Sequence, residues 1–327
     1  MQAMSLADTY GLMYHSQRQF IGGCQWHPFD HQRGYHPDAY FGGIFDAFRQ
    51  PKYAYEMFRS QTLYGGPSVF IANEMTPSSD SDVTVFSNCD SVRLIVFGGD
   101  MVKTLPVTHQ VGEISYAPVV FRGFWNFMKA REYSYKKRDW QHISIVAEGI
   151  KEGRVVCSEK KSPSRRSTKI RLRVDSLGKT LTADGSDFIV VIAEITDDSG
   201  NVRRLAREQV SFTVEGEGRI IGDASISANP RLVEWGSAPV LIQSTNHAGD
   251  IKITARPLYD GVYAPAATTI TLRSIPAMLP ACYLDAAFED SSNVQTSNAP
   301  ATKKMTDEER RKTLNEVEQQ QKDFGVK

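Results

Sequence analysis

The sequence predicts a mainly β chain: two β-sandwiches, preceded by a segment of different pattern and followed by a polar, helical tail. Three observations carry this. Short runs with period-two alternation recur between residues 63 and 275, broken about every ten residues by Gly, Asn, Asp or Ser. Before residue 62 the spacing is helical or loop-like, and after residue 276 the large apolar groups thin out. The expected divisions are residues 1–62, 63–165, 166–275 and 276–327.

In residues 4–19, Met4, Leu6, Ala7, Tyr10, Gly11 and Tyr14 follow one another at the three-to-four spacing of an amphipathic helix. Phe20, Ile21, Gly22, Gly23 and Cys24 read as a short apolar strand that feeds a loop dense in His, Asp, Arg and aromatics. Pro51 then opens a helix that runs to Gln61. In the first sandwich, residues 82–88 and 91–97 alternate between faces, with Asn88, Cys89 and Asp90 as the hairpin turn between them. Residues 142–147 form a further strand, with the aromatic-rich stretch 121–127 before it.

The basic run 160–167 reads as a solvated linker. In the second sandwich Ile170, Leu172 and Val174 share one face while Lys169, Arg171 and Arg173 share the other, the pattern of a charged edge strand. Residues 188–193 are apolar throughout and read as a central strand, and Asp197 to Asn201 supply a turn rather than a calcium loop. Residues 210–214, 239–243, 251–255 and 268–272 complete the set. In the tail, residues 291–302 are polar and expected to be disordered. Thr306 and Glu309 make a capping box for a helix whose sizeable apolar groups are Leu314 and Val317.

Lys and Arg number 38, as do Asp and Glu, so nothing favours nucleic acid or an anionic membrane as partner. No apolar run reaches bilayer-spanning length. Residues 1–8 lack the basic start and apolar stretch of a secretory leader, and no compartment is read from them. Cys24, Cys89, Cys157 and Cys282 are scattered, which indicates neither a disulfide framework nor a zinc site. His27, His31, His36, Asp30 and Asp38 are metal-type ligands, but Pro28 and Gly34 break the helical geometry that would align them. No phosphate loop or nucleophile elbow occurs, so no cofactor is expected.

Gly22, Gly23, Gln25 and Trp26, then Phe29 and Asp30, then residues 33–38, 43–46 and 49–52, come in an order that resembles one known family. The stretch is similar to the end of the catalytic barrel of glycoside hydrolase family 2, the β-galactosidase and β-glucuronidase group. The resemblance implies a (β/α)8 barrel that cleaves β-linked sugars with two glutamates on earlier strands. It would make residues 20–26 the eighth strand, 4–19 the seventh helix and 51–61 the eighth. A barrel needs roughly 250 residues, and nineteen precede Phe20. The expectation is therefore an incomplete barrel with no catalytic residue of its own, inactive alone, whose partner is the missing barrel portion or another subunit. Ile21 and Cys24 should be left exposed.

The resemblance further implies that Trp26 lines the sugar subsite, its flat ring covering the apolar face of a pyranose of a β-linked carbohydrate. His27, Asp30, His31 and Arg33 either hydrogen-bond sugar hydroxyls or hold the loop by salt bridges and caps. Asn73-Glu74 is spelled like the acid/base of such enzymes. It falls after the last barrel helix with no second carboxylate at a strand end, so no catalysis is assigned to it. Residues 181–186, 214–216 and 218–222 resemble the bacterial immunoglobulin-like module that ends many members, and both sandwiches are expected to be immunoglobulin-like. The alternative is a non-catalytic carbohydrate-binding or scaffolding protein with exposed Trp125, Trp140 or Trp235 as sugar platforms.

Overall fold

The computed structural model describes residues 1–16, 21–34, 40–47, 49–62, 64–176 and 178–278. It opens with helix α1 (Gln2–Ser16) and helix α2 (Tyr53–Arg59), which lie side by side. Ala3, Ala7, Tyr10, Ala54 and Met57 form their shared buried seam. Lys52, in extended conformation, is the residue before the first turn of α2, and Pro51 lies outside it in a bridge to Phe45. Residues 21–26 hold no strand, which corrects the eighth-strand expectation over its described part. The physical reason is that among the described residues no neighbouring strand offers them a ladder. Ile21 is fully exposed and Cys24 is exposed, as expected for a strand sequence without a sheet.

The first sandwich contains β1 (Val69–Ala72), β2 (Val83–Ser87), β3 (Ser91–Val96), β4 (Met101–Pro106), β5 (Val119–Phe121), β6 (Ile145–Lys151) and β7 (Arg154–Lys161). One antiparallel sheet runs β1-β2-β5 and the other β4-β3-β6-β7. Between them lie Ile71, Val83, Val85, Leu94, Phe97, Phe121, Trp125 and Ile145. The opposite face of the smaller sheet carries Phe70 and Phe86, which pack into the seam of α1 and α2. That sheet is thus buried on both faces, and the helices replace the solvent an outer face would otherwise meet.

Residues 88–90 are a turn, but not a hairpin. β2 and β3 belong to different sheets, and the chain arches from one to the other. Alternation specifies which side chains face inward, and it does so equally well for a hairpin and for an arch. The arch is fixed by Asn88, whose side chain accepts from Ser68 N at 2.7 Å and donates to the carbonyls of Thr62 and Gly66.

The basic run is corrected as well. Lys160 and Lys161 end β7, and Lys161 is largely covered, its ammonium 4.4 Å from the Phe70 ring centre and 2.6 Å from Ile71 O. Arg165 N donates to Asp197 at 2.8 Å, Ser167 to Glu208 at 2.8 Å, and Arg166 to Val262 O at 2.6 Å. Long basic stems lie well on aromatic faces, so a run that reads as solvated is a docked connection.

The second sandwich comprises β8 (Lys169–Asp175), β9 (Thr182–Ala183), β10 (Phe188–Thr196), β11 (Gln209–Gly216), β12 (Gly218–Ile221), β13 (Arg231–Leu232), β14 (Ser237–Ser244), β15 (Asp250–Pro257) and β16 (Thr268–Arg273). Its main sheets are β12-β14-β10-β8 and β13-β11-β15-β16. β10 is central and β8 is at an edge, as the unbroken apolar run and the charged alternation predict. Val191, Ile195, Phe212, Val240, Ile242 and Ile253 form a second core separate from the first. Asp197 closes the expected turn, accepting from Ser199 N and Asn201 N at 2.9 Å each.

Met1–Ile275 form one unit; a second, Pro276–Lys327, is described only over 276–278. The tail helix expected from Thr306 lies outside the described residues. Among the described residues no helix is long and apolar enough to cross a membrane.

Candidate functional site

Between α1 and α2 the chain folds back through bridges that pair Phe29 with Phe45 and His31 with Tyr40. Asp30 sits at the centre of this fold-back, 7% exposed. Its Oδ1 accepts from Gly43 N at 2.8 Å and from the Lys52 ammonium at 2.9 Å, and its Oδ2 accepts from the same ammonium at 3.0 Å. Gly43 is required by close approach: a Cβ there would lie 2.4 Å from Asp30 N and 2.6 Å from Phe45 O. Gln2 reaches over from α1 to the carbonyls of Gly42 and Gly43 at 3.0 and 2.9 Å. Asp46 caps the next turn, accepting from Gln50 N at 2.7 Å.

This scaffold presents a column of rings. Trp26 is 79% exposed. Its ring centre lies 4.4 Å from His27, and His27 meets His31 edge-on at 4.0 Å. Tyr40 closes the far end, 5.5 Å from His31, with the Arg33 guanidinium 4.2 Å over its ring. Partial burial, then the neighbouring His31 and Arg33, lower the pKa of His27 below the usual imidazole value, so its ring is neutral at pH 7. A neutral imidazole can donate and accept at once, while Nδ1 of His27 has no partner among the described residues.

Of the five residues singled out in the sequence, Trp26, His27, His31 and Arg33 belong to this column. Asp30 faces the other way, its carboxylate occupied by Lys52 and Gly43, which is the loop-holding alternative. Tyr40 and the role of Lys52 went unnoticed. Lys52 is in the motif that carried the resemblance, but a carboxylate 22 residues away gives no local signal of partnership. His36 and Asp38 lie outside the described residues, and among those described no three His, Cys, Asp or Glu side chains gather as metal ligands.

Glu74, the sequence look-alike of an acid/base, is held by a 2.5 Å hydrogen bond from Tyr53 Oη and by Arg204 Nε at 3.3 Å. Burial acts to raise its pKa, but Lys161, Tyr53 and Arg204 outweigh it and leave the carboxyl below the usual range. The same burial pushes Glu159 up and Lys161 down. These groups bind strand β1 from outside, because Ile71 N donates to Glu159 at 2.5 Å while Lys161 donates to Ile71 O. Two side chains of β7 thus stand in for the strand missing beside β1.

The chain belongs to glycoside hydrolase family 2: residues 170–257, which span β8 through β15, match the family described as glycoside hydrolase family 2 C-terminal domain 5. The β-galactosidase of Thermoanaerobacter pseudethanolicus is 30% identical over 249 residues, 73% of this chain and 32% of that protein. The β-galactosidase BoGH2A of Bacteroides ovatus is 28% identical over 236 residues, 66% of this chain and 24% of its own length. A solved β-glucuronidase of glycoside hydrolase family 2 superposes with a TM-score of 0.62 at 21% identity, over 84% of this chain and 27% of that one. The chain therefore spans about a third or less of these relatives, and the resemblance to the C-terminal portion of a family 2 glycoside hydrolase is borne out.

Proposed function

We propose that this chain is the C-terminal part of a β-galactosidase-like family 2 enzyme that hydrolyses β-linked glycans. In this reading residues 1–62 complete the catalytic barrel, and the acid/base and nucleophile glutamates come from residues outside this chain. The observation that carries the reading is the head of the fold-back. There Trp26 stands exposed on a loop locked from beneath by Asp30, Lys52 and Gly43. A flat ring held in place covers the apolar face of a pyranose, and the neutral His27 and the Arg33 guanidinium offer hydrogen bonds to its hydroxyls. Asp30 serves as the anchor of that loop.

The test is complementation. This chain is mixed with a family 2 barrel that lacks its own C-terminal portion, and hydrolysis of a nitrophenyl β-galactoside is followed. Activity should return with both present and be absent with either alone. Trp26→Ala should then raise KM about tenfold, equivalent to ~1.4 kcal/mol of lost binding. A folded mixture that stays inactive, or a Trp26→Ala mixture with unchanged kinetics, refutes the reading.

The carbohydrate-binding alternative loses one of its three platforms. Trp125 is 2% exposed, in the core of the first sandwich. Trp235, mostly exposed, and Trp140, 36% exposed, are what still favour it.

A further inference from the structure

A cleft of about 500 Å³ opens between the first sandwich, the 163–166 connection and the second sandwich, away from the Trp26 column. Its size falls within the roughly 300–1,000 Å³ of small-ligand sites. Two buried polar groups on its lining have no hydrogen-bond partner among the described residues: Nε1 of Trp125 and Oγ of Ser134. Both side chains are more than nine-tenths buried. A native structure rarely leaves such groups unpaired without an occupant to receive them.

The rim is aromatic and cationic. Trp140, 36% exposed, carries the Arg165 guanidinium 5.0 Å from its ring centre. Arg203 spends one N–H on Arg165 O at 2.8 Å. Arg131 and Arg166 also line the opening. Among the described residues none of these four arginines is paired with a carboxylate. The acidic residue of the lining, Glu74, is already held by Tyr53 and Arg204. Four uncompensated guanidiniums around one opening are complementary to an anion, and their forked donors suit a carboxylate.

We propose that this cleft is a second saccharide site that takes an acidic sugar, a uronate-bearing oligosaccharide, with Trp140 against the pyranose ring and Arg165 and Arg203 on the carboxylate. Trp125 Nε1 and Ser134 Oγ supply the buried hydrogen bonds. The choice of a saccharide rests on the glycosidase reading above; the anion preference rests on the arginines alone.

The full chain is titrated with trigalacturonate, with neutral maltotriose and with sodium sulfate, while the indole N–H signals are followed by nuclear magnetic resonance. Trigalacturonate should shift an indole N–H signal that maltotriose leaves in place, with a dissociation constant at least tenfold lower and rising with added salt. Trp140→Ala, and separately Arg165→Gln at the exposed rim, should weaken it severalfold with the melting temperature held. Trp26→Ala should leave it unchanged, so this result stands or falls apart from the complementation test. Equal binding of maltotriose overturns the acidic preference, sulfate binding as tight as trigalacturonate overturns the saccharide assignment, and no shift with any probe overturns the site.

Discussion

Gly149 sits on β6 between two thiols, where a Cβ would lie 2.6 Å from Cys89 Sγ and from Cys157 Sγ and 2.9 Å from Val69 Cγ1. The thiols are 3.8 Å apart, and burial pushes Cys157 up to about 11, so it is an inert thiol at pH 7. Gly149→Ala should destabilise the chain by about 1–3 kcal/mol through overpacking, seen as a lower urea midpoint. Glu74 makes a prediction in pH. A carboxyl held below its ordinary value adds stability that is present above the unfolded value and lost as pH falls through the folded one. Glu74→Gln should therefore cost about 1.5–3 kcal/mol at pH 7, and the gap to the parent chain should close as pH drops below about 4.5. Glu159, pushed the other way by burial, acts in the opposite sense, so Glu159→Gln should not produce that closing gap. Urea midpoints at pH 7 and pH 3.5 check both.

At the level of elements, the loop and its anchor separate cleanly. Asp30→Asn removes the charge that holds Lys52 while keeping an acceptor for Gly43 N. Hydrogen exchange should quicken over residues 43–52, with amides of β3 and β6 unchanged; a uniform rise across the chain would contradict the local role. The strands were legible because burial and alternation are properties of neighbours in sequence, as in β8 and β10. The arch at residues 88–90 was not, since the carbonyls that Asn88 reaches belong to residues more than twenty positions away. The same holds for Lys161, whose charge reads as solvent-facing until Phe70 and Ile71 are placed beneath it. In the candidate site the sequence offered Trp26, His27, His31 and Arg33, but Tyr40 gave no local sign of closing the column.

Over the whole molecule, the two sandwiches keep separate cores. Phe212→Ala, in the second, should cost about 3–5 kcal/mol. Exchange protection should fall over β10, β11 and β14 while β3 and β6 keep theirs; equal loss in both cores would mean they unfold as one. What joins the parts is a short relay. Tyr53, on the helix behind the fold-back, donates to Glu74 just past β1 of the first sandwich, and Arg204 of the second sandwich grips the same carboxylate and the Trp235 carbonyl. A remote module with no ring in the Trp26 column thus has a hand on the helix that follows it. Deletion or replacement of the second sandwich would then be felt at the loop that carries Trp26 through one shared carboxylate, like a rudder turned from the stern.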